Sequence, residues 1–385
     1  MKRVIRIVLP VAAAALAGSP TWARVEAPLP PQDEVPIALL VDISSGQTLV
    51  SRDEDRRFLP ASVTKVMSVY IAFEMLSGGR LKPDQSFTVS QEVADQWSGT
   101  GSSMFLRAGE KVSVDQLLHG ITTVSANDGC IALAEGAAGS VKQWVALMNR
   151  AARKLGMDDS HYGTPNGWPD EGNTFVTARD MVKLARALIT RYPKLYARYF
   201  GHRGLAFNGI AQANHDPITG VVKGADGIKT GFTREAGNNF LGSAQRGARR
   251  LAMVVAGIDD AATRAQVSRA LIEWGFGAFA PMQLFAKGAD IGDARVQGGA
   301  MRHVALLAAE PVIVDFPRGK RPALHLTVHY QGPLVAPISA GDRIAELEIA
   351  LDGFAPYRVP LIAANDVAKA NSWQRLRNGV LGWIP

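Results

Sequence analysis

The chain has 385 residues, enough for about two or three domains. Apolar residues make up 47% and charged residues 20%, which excludes a mostly disordered chain. No uncharged apolar run of about 18 residues follows the N-terminus, which excludes a multi-span membrane protein. A single cysteine, Cys130, excludes a disulfide framework and a cysteine-based zinc site. The net charge of +7 is too diffuse to point to nucleic acid, but it suits work beside anionic lipid or an anionic polymer.

The N-terminus carries Lys2, Arg3 and Arg6, then a short Ala-rich apolar run to Gly18, then Thr21-Trp22-Ala23. This three-part pattern predicts an export signal over 1–23, cleaved after Ala23; an uncleaved anchor is the alternative. Residues 24–34 are Pro-rich and polar and predict a linker. Ile37 to Val41 and Gln47 to Val50 flank Ser44-Ser45-Gly46 and predict a hairpin. Helical spacing runs from Ser62 to Leu76, closed by Gly78-Gly79. Further helices are predicted over 114–123, 126–138, 141–155 and 177–189, with an irregular loop over 162–174. Strands at 240–244 and 250–257 precede a helix over 263–274 that Gly275 is expected to end.

Beyond about residue 280 short Val/Leu/Ile runs alternate with Gly, Pro and Asp, at 304–307, 312–314, 324–330, 343–350 and 357–361. That texture predicts a small all-β domain over 280–365, after a first domain over 35–279. In 366–385, Trp373, Leu376, Val380 and Ile384 share one helical face among Arg and Lys. This predicts an amphipathic helix at a membrane interface, or one docked on the β-domain; Arg377, Gly379 and Gly382 weaken the pattern.

Three short elements carry chemistry. Ser62-Val63-Thr64-Lys65 opens a helix and sets hydroxyl and amine one turn apart. A hydroxyl is a poor nucleophile until a base takes its proton, and burial can lower a lysine's pKa enough to serve. Alone, the same string reads as a helix cap with a solvated lysine. Ser125-Ala126-Asn127 lies between two helices, where a turn projects a hydroxyl to relay a proton and an amide to bind one; alone, it is an N-cap. Lys229-Thr230-Gly231 precedes a strand and offers charge, a hydroxyl and room for close backbone approach; alone, it is a polar edge strand.

In this order, S-x-x-K, S-x-N and K-T-G resemble the set shared by penicillin-binding proteins and class A β-lactamases. More narrowly the chain resembles the low-molecular-mass D-alanyl-D-alanine carboxypeptidases, also through Asp226 to Thr233 and Ala236-Gly237-Asn238. The resemblance implies an α/β fold: an antiparallel sheet with helices on both faces and a helical subdomain, then the β-domain and tail. It also implies β-augmentation of the substrate on the strand carrying Lys229, Thr230 and Gly231. By the same resemblance Ser62 is the nucleophile, Lys65 its base, Ser125 the proton relay and Asn127 the substrate-amide holder. Lys229 and Thr230 meet the terminal carboxylate, and the main chain of Ser62 and Phe232 forms the oxyanion hole. Arg264 is either a further carboxylate ligand or a solvated helix residue, and His215 reads more as surface than site. Asp170 and Glu171 stand on a loop that could be compared with the lactamase one, but they read as solvated loop acids.

The expected activity is removal of the terminal D-alanine from peptidoglycan stem pentapeptides through an acyl-enzyme. β-Lactams are then covalent inhibitors, and no cofactor, metal or nucleic acid is required. The expected location is the periplasmic face of the inner membrane. A β-lactamase or a non-catalytic wall-binding sensor of β-lactams are the alternatives.

Overall fold

The computed structural model describes residues 3–9, by backbone alone, and 27–374. It divides into one unit of Ala27–Ile43 with Leu49–Phe276 and a second that joins Ser44–Thr48 to Gly277–Pro385 and the N-terminal stretch. Strand β1 (Arg3–Leu9), within the expected export signal, belongs to the second unit.

In the first unit, β2 (Ile37–Asp42) and β3 (Thr48–Arg52) are the expected hairpin strands. Pro30 of the expected linker and Val35 just after it are both held: Arg52 Nη1 donates to their carbonyls at 2.8 and 2.9 Å. The helix expected from Ser62 starts later. Ala61–Thr64 is a tight 3-10 turn, and α1 (Lys65–Ser77) continues from it. Val66, Met67, Val69, Tyr70, Ile71, Ala72 and Phe73 are all buried, so α1 is apolar on every side and runs through the core.

Next come β4 (Ser86–Thr88), α2 (Gln91–Trp97), β5 (Lys111–Ser113), α3 (Val114–Thr123), α4 (Asn127–Ala138) and α5 (Val141–Lys154). A capping box between Ser113 and Gln116 starts α3, and Gly139 in the left-handed region ends α4. After the irregular loop come α6 (Ala178–Arg191), α7 (Pro193–Tyr199) and a short hairpin, β6 (Gly204–Phe207) and β7 (Ile210–Ala213). Then β8 (Ala225–Thr233), β9 (Gly237–Arg246), β10 (Arg249–Ile258) and α8 (Ala261–Ala278) complete the unit.

The five-stranded sheet has the order β3-β2-β10-β9-β8, which leaves β8 at an edge. Strand β10 runs antiparallel to β2 and β9, and β9 antiparallel to β8. One expectation is corrected here: α8 passes through Gly275 rather than ending at it. A Cβ there would stand 2.7 Å from Leu40 and 2.8 Å from Leu251, so the glycine lets helix and sheet approach closely.

The second unit holds β11 (Phe279–Phe285), β12 (Asp290–Gln297), β13 (His303–Ala308), β14 (Val312–Pro317), β15 (Leu324–Gly332), β16 (Leu334–Val335), β17 (Arg343–Leu351) and β18 (Tyr357–Ala363). Seven of its strands form one sheet in the order β1-β15-β17-β18-β13-β12-β16, and β11 pairs with β14. Alternate residues such as Leu326, Val328, Leu347, Ile349 and Leu361 fill a core of its own. Ser45 Oγ donates to Asp315 at 2.7 Å, and Gln47 bonds its main chain in both directions, which ties Ser44–Thr48 into this unit. Of the expected tail helix, Val367 and Lys369 form isolated bridges and Trp373 is exposed; Leu376, Val380 and Ile384 lie outside the described residues. No helix among the described residues is long and apolar enough to cross a membrane.

Candidate active site

The site lies on the first unit. Ala61, at φ +48°, bends the chain just before Ser62, and the 3-10 turn sets Ser62 directly above Lys65. The Lys65 Nζ lies 2.7 Å from Ser62 Oγ and donates to the Asn166 carbonyl at 2.7 Å. Lys65 is fully buried. Burial disfavours its charged form and brings its pKa down to about 8, although Cys130 and Asp128 act in the other direction.

Ser125 occupies the turn between α3 and α4 with φ +63°, a strained conformation for a serine. Asn127 opens α4; its Nδ2 donates to the Thr100 carbonyl at 3.0 Å and its main-chain N–H to Ser102 at 2.8 Å. Asp128 is fully buried. Its carboxylate accepts from Ser103 Oγ at 2.6 Å and from the main-chain N–H groups of Met104 and Leu106, each at 3.0 Å. The segment leading from Thr100 to Leu106 is thereby held against α4.

Strand β8 passes across the Ser62 turn. A side chain at Gly231 would enter the Pro60 carbonyl oxygen and crowd Val63, so only glycine permits that passage. Asn239, paired with Gly231 on β9, donates to the Leu59 carbonyl at 2.9 Å and ties the sheet to the same turn. Lys229 is buried and donates to the Thr230 carbonyl at 2.9 Å. Burial, followed by the positive charges of Lys65 and Arg264, pushes its pKa well below the usual lysine range, against the pull of Asp216.

Ser62, Ser125, Asn127, Thr230, Gly231, Phe232 and Arg264 line one cleft of about 440 Å³. Lys65 and Lys229 lie beneath its surface. Arg264, on α8, is only 8% exposed and its Nε meets no hydrogen-bond partner among the described residues, which is a costly arrangement for a buried donor. Phe232 is 59% exposed at the rim, opposite a loop that contributes Asn166, Gly167 and Trp168. The expected residues therefore come together.

Several others were missed. Asn166 acts through its main chain, Asp128 by anchoring a loop and Gly167 by a close approach to Ala61, and no spacing in the sequence encodes these roles. His215 lines the cleft, although its surroundings in the sequence read as surface. Asp170 and Glu171 line a neighbouring groove of about 370 Å³ instead. The Asp170 carboxylate is taken up by the Thr174 N–H and hydroxyl, at 3.0 and 2.6 Å.

A buried amine in contact with a serine hydroxyl, beside an open strand edge and buried cations, defines a serine acyl-transfer site for anionic peptides. The comparisons narrow the class. Residues 24–260 match the D-alanyl-D-alanine carboxypeptidase family, and residues 279–369 match the penicillin-binding protein 5 C-terminal domain. The chain belongs to that carboxypeptidase family. It is 34% identical over 354 residues to D-alanyl-D-alanine carboxypeptidase DacD of Escherichia coli, covering 91% of each chain. Penicillin-binding protein 5 from Haemophilus influenzae is similar in structure, with a TM-score of 0.76 and 31% identity over 89% of this chain and 99% of that one. Penicillin-binding protein D2 from Listeria monocytogenes, in its ampicillin-bound form, superposes with a TM-score of 0.57 and 26% identity over 63% of this chain and 97% of its own.

Proposed function

We propose that the protein is a serine-type D-Ala-D-Ala carboxypeptidase that trims peptidoglycan stem pentapeptides and is acylated by β-lactams. The observation that carries this reading is the buried Lys65 amine, 2.7 Å from Ser62 Oγ with a pKa near 8. A neutral Lys65 takes the hydroxyl proton, and Oγ attacks the carbonyl of the penultimate D-alanine. Main-chain N–H groups of Ser62 and Phe232 hold the oxyanion. As the C–N bond breaks, the proton passes through Ser125 to the leaving amine, and free D-alanine departs. Water then attacks the ester on Ser62, and the hydroxyl regains a proton. The open edge of β8 aligns the peptide, Asn127 binds its amide, and Lys229, Thr230 and Arg264 attract the terminal carboxylate.

The test is mass spectrometry of the protein with labelled penicillin and, in parallel, with a stem pentapeptide. The expected result is one adduct on Ser62, D-alanine release, and neither with Ser62→Ala. Rapid penicillin turnover without D-alanine release would select a β-lactamase, and an adduct without D-alanine release from any stem peptide a sensor.

We also propose that 1–23 is removed on export and that the C-terminal segment holds the enzyme at the periplasmic face of the inner membrane. The charge and apolar pattern of both segments supports this. The mature protein is expected to begin at Arg24 and to pellet with membranes; an intact N-terminus, or a soluble form with the tail present, would contradict it.

A further inference from the structure

We propose that the groove adjoining the catalytic cleft is a subsite for the residue just upstream of the two D-alanines, and that it selects a long side chain ending in a free amine. The inference rests on the carboxypeptidase reading above and names a feature of its substrate.

The direction of the peptide places that residue. The terminal carboxylate meets Lys229 and Thr230, and the scissile carbonyl meets the Phe232 N–H. Followed upstream, the peptide therefore runs along β8 towards Thr233 and beyond it. An extended chain advances about 3.3 Å per residue, so the residue before the D-alanines comes level with the turn after β8. The groove of about 370 Å³ opens there. Gly167, Trp168 and Thr233 line both it and the cleft, so the two adjoin at the upstream end of β8.

The groove is held in shape before any peptide arrives. Thr233 pairs with Gly237, and its Oγ1 accepts the Ala236 N–H at 3.1 Å, which makes 234–236 a tight turn containing Glu235. In the loop over 162–174, the Trp168 N–H donates to Asn166 Oδ1 and the Gly167 N–H to Thr164 Oγ1, each at 3.1 Å. Asn173 donates to the Asp170 carbonyl through its N–H at 3.1 Å and its Nδ2 at 2.7 Å, closing a turn that holds Glu171 at φ +58°. Walls already ordered spare a ligand the cost of ordering them.

The lining states what fits. Leu59, Pro60, Pro169 and the exposed Trp168 ring offer an apolar surface to a methylene chain. The charged residues of the groove are all acids: Asp170, Glu171 and Glu235. Asp170 is engaged by Thr174. Glu171 and Glu235 are exposed, and among the described residues neither carboxylate has a hydrogen-bond or ion-pair partner. Arg234 shares the turn with Glu235 but does not line the groove. The catalytic cleft has the opposite sign, with Arg264 in its wall and Lys65 and Lys229 beneath. The site is thus polarised along the peptide, with cations at the terminal carboxylate and carboxylates at the upstream side chain. An apolar stem with a cationic end complements this pattern, and an acidic side chain is repelled. Acylation of that amine removes its charge, so a stem peptide already joined through it in a cross-link becomes a weaker substrate than a free one.

The test is steady-state D-alanine release from Nα-acetyl-L-lysyl-D-alanyl-D-alanine, from its Nε-acetyl form, and from the norleucyl analogue, which keeps the carbon chain without the amine. The proteins are the unaltered chain, the double variant Glu171→Gln with Glu235→Gln, and Glu235→Lys. The unaltered protein is expected to show a kcat/KM about tenfold higher for the lysyl peptide than for either analogue, mainly through KM. The double variant is expected to bring those ratios within twofold of one, and Glu235→Lys to make the lysyl peptide the poorer substrate against norleucyl. A lysyl peptide within twofold of either analogue in the unaltered protein would overturn the proposal. So would a preference retained in the double variant or in Glu235→Lys. Penicillin labelling of Ser62 in each variant reports that the catalytic cleft is folded. Release of D-alanine from none of the three peptides by the unaltered protein would instead refute the carboxypeptidase reading.

Discussion

Two basic side chains beneath and beside one cleft behave differently because they are held differently. Lys65 has a hydroxyl and a carbonyl as partners and, among the described residues, no carboxylate within bonding distance, so burial lowers its pKa into a useful range for a base. Arg264 keeps its charge, because a guanidinium does not lose its proton in proteins, although burial draws its pKa down. Its unpartnered Nε is a donor awaiting an anion. Arg264→Ala is expected to raise KM about tenfold for a peptide with a free terminal carboxylate and to leave the carboxamide unaffected, as measured by D-alanine or D-alaninamide release; equal losses on both would remove Arg264 from carboxylate binding. The sequence left this residue evenly open between ligand and surface, since a lone arginine in a helical pattern carries no sign of what its head group meets.

The site is assembled from element ends rather than from one motif. Strand β8 can lie on the Ser62 turn only because position 231 has no side chain. Gly231→Ala is expected to push the strand edge away, lowering the rate of Ser62 acylation at least tenfold while the core of α1 and β10 stays folded; an unchanged rate in a stopped-flow assay would show that the passage is looser than described. The long helices were legible because their apolar residues recur with helical period and their ends carry caps. The loops that finish the site were not. Asn166 contributes a main-chain oxygen, Asp128 contributes hydrogen bonds to a loop remote in sequence, and the strands of the β6–β7 hairpin are only four residues each, so none leaves a periodic signal. Gly275 was misread for a related reason: a glycine that ends a helix and one that lets it pack look alike until the facing Leu40 and Leu251 are known.

The base is a property of the whole catalytic unit. Lys65 is enclosed by pieces far apart in sequence: its own helix, the Asn166 loop, Cys130 on α4 and Lys229 on β8. The β texture beyond residue 280 was legible as short alternating runs with their own core, whereas β11 and β12 were missed because exposed and charged residues interrupt them. The enclosure of Lys65 fixes the sign of the pH dependence. The neutral amine is the active form, so acylation rises with pH until the lysine has lost its proton. The decisive measurement is the rate of Ser62 acylation by a labelled penicillin from pH 6 to 10, in the unaltered protein and in Lys65→Arg. The account predicts a rise through about pH 8 to a plateau, and a rate at least about a thousandfold lower in Lys65→Arg, whose guanidinium stays charged. A rate independent of pH across that range, or a Lys65→Arg protein within tenfold of the unaltered one, would contradict it.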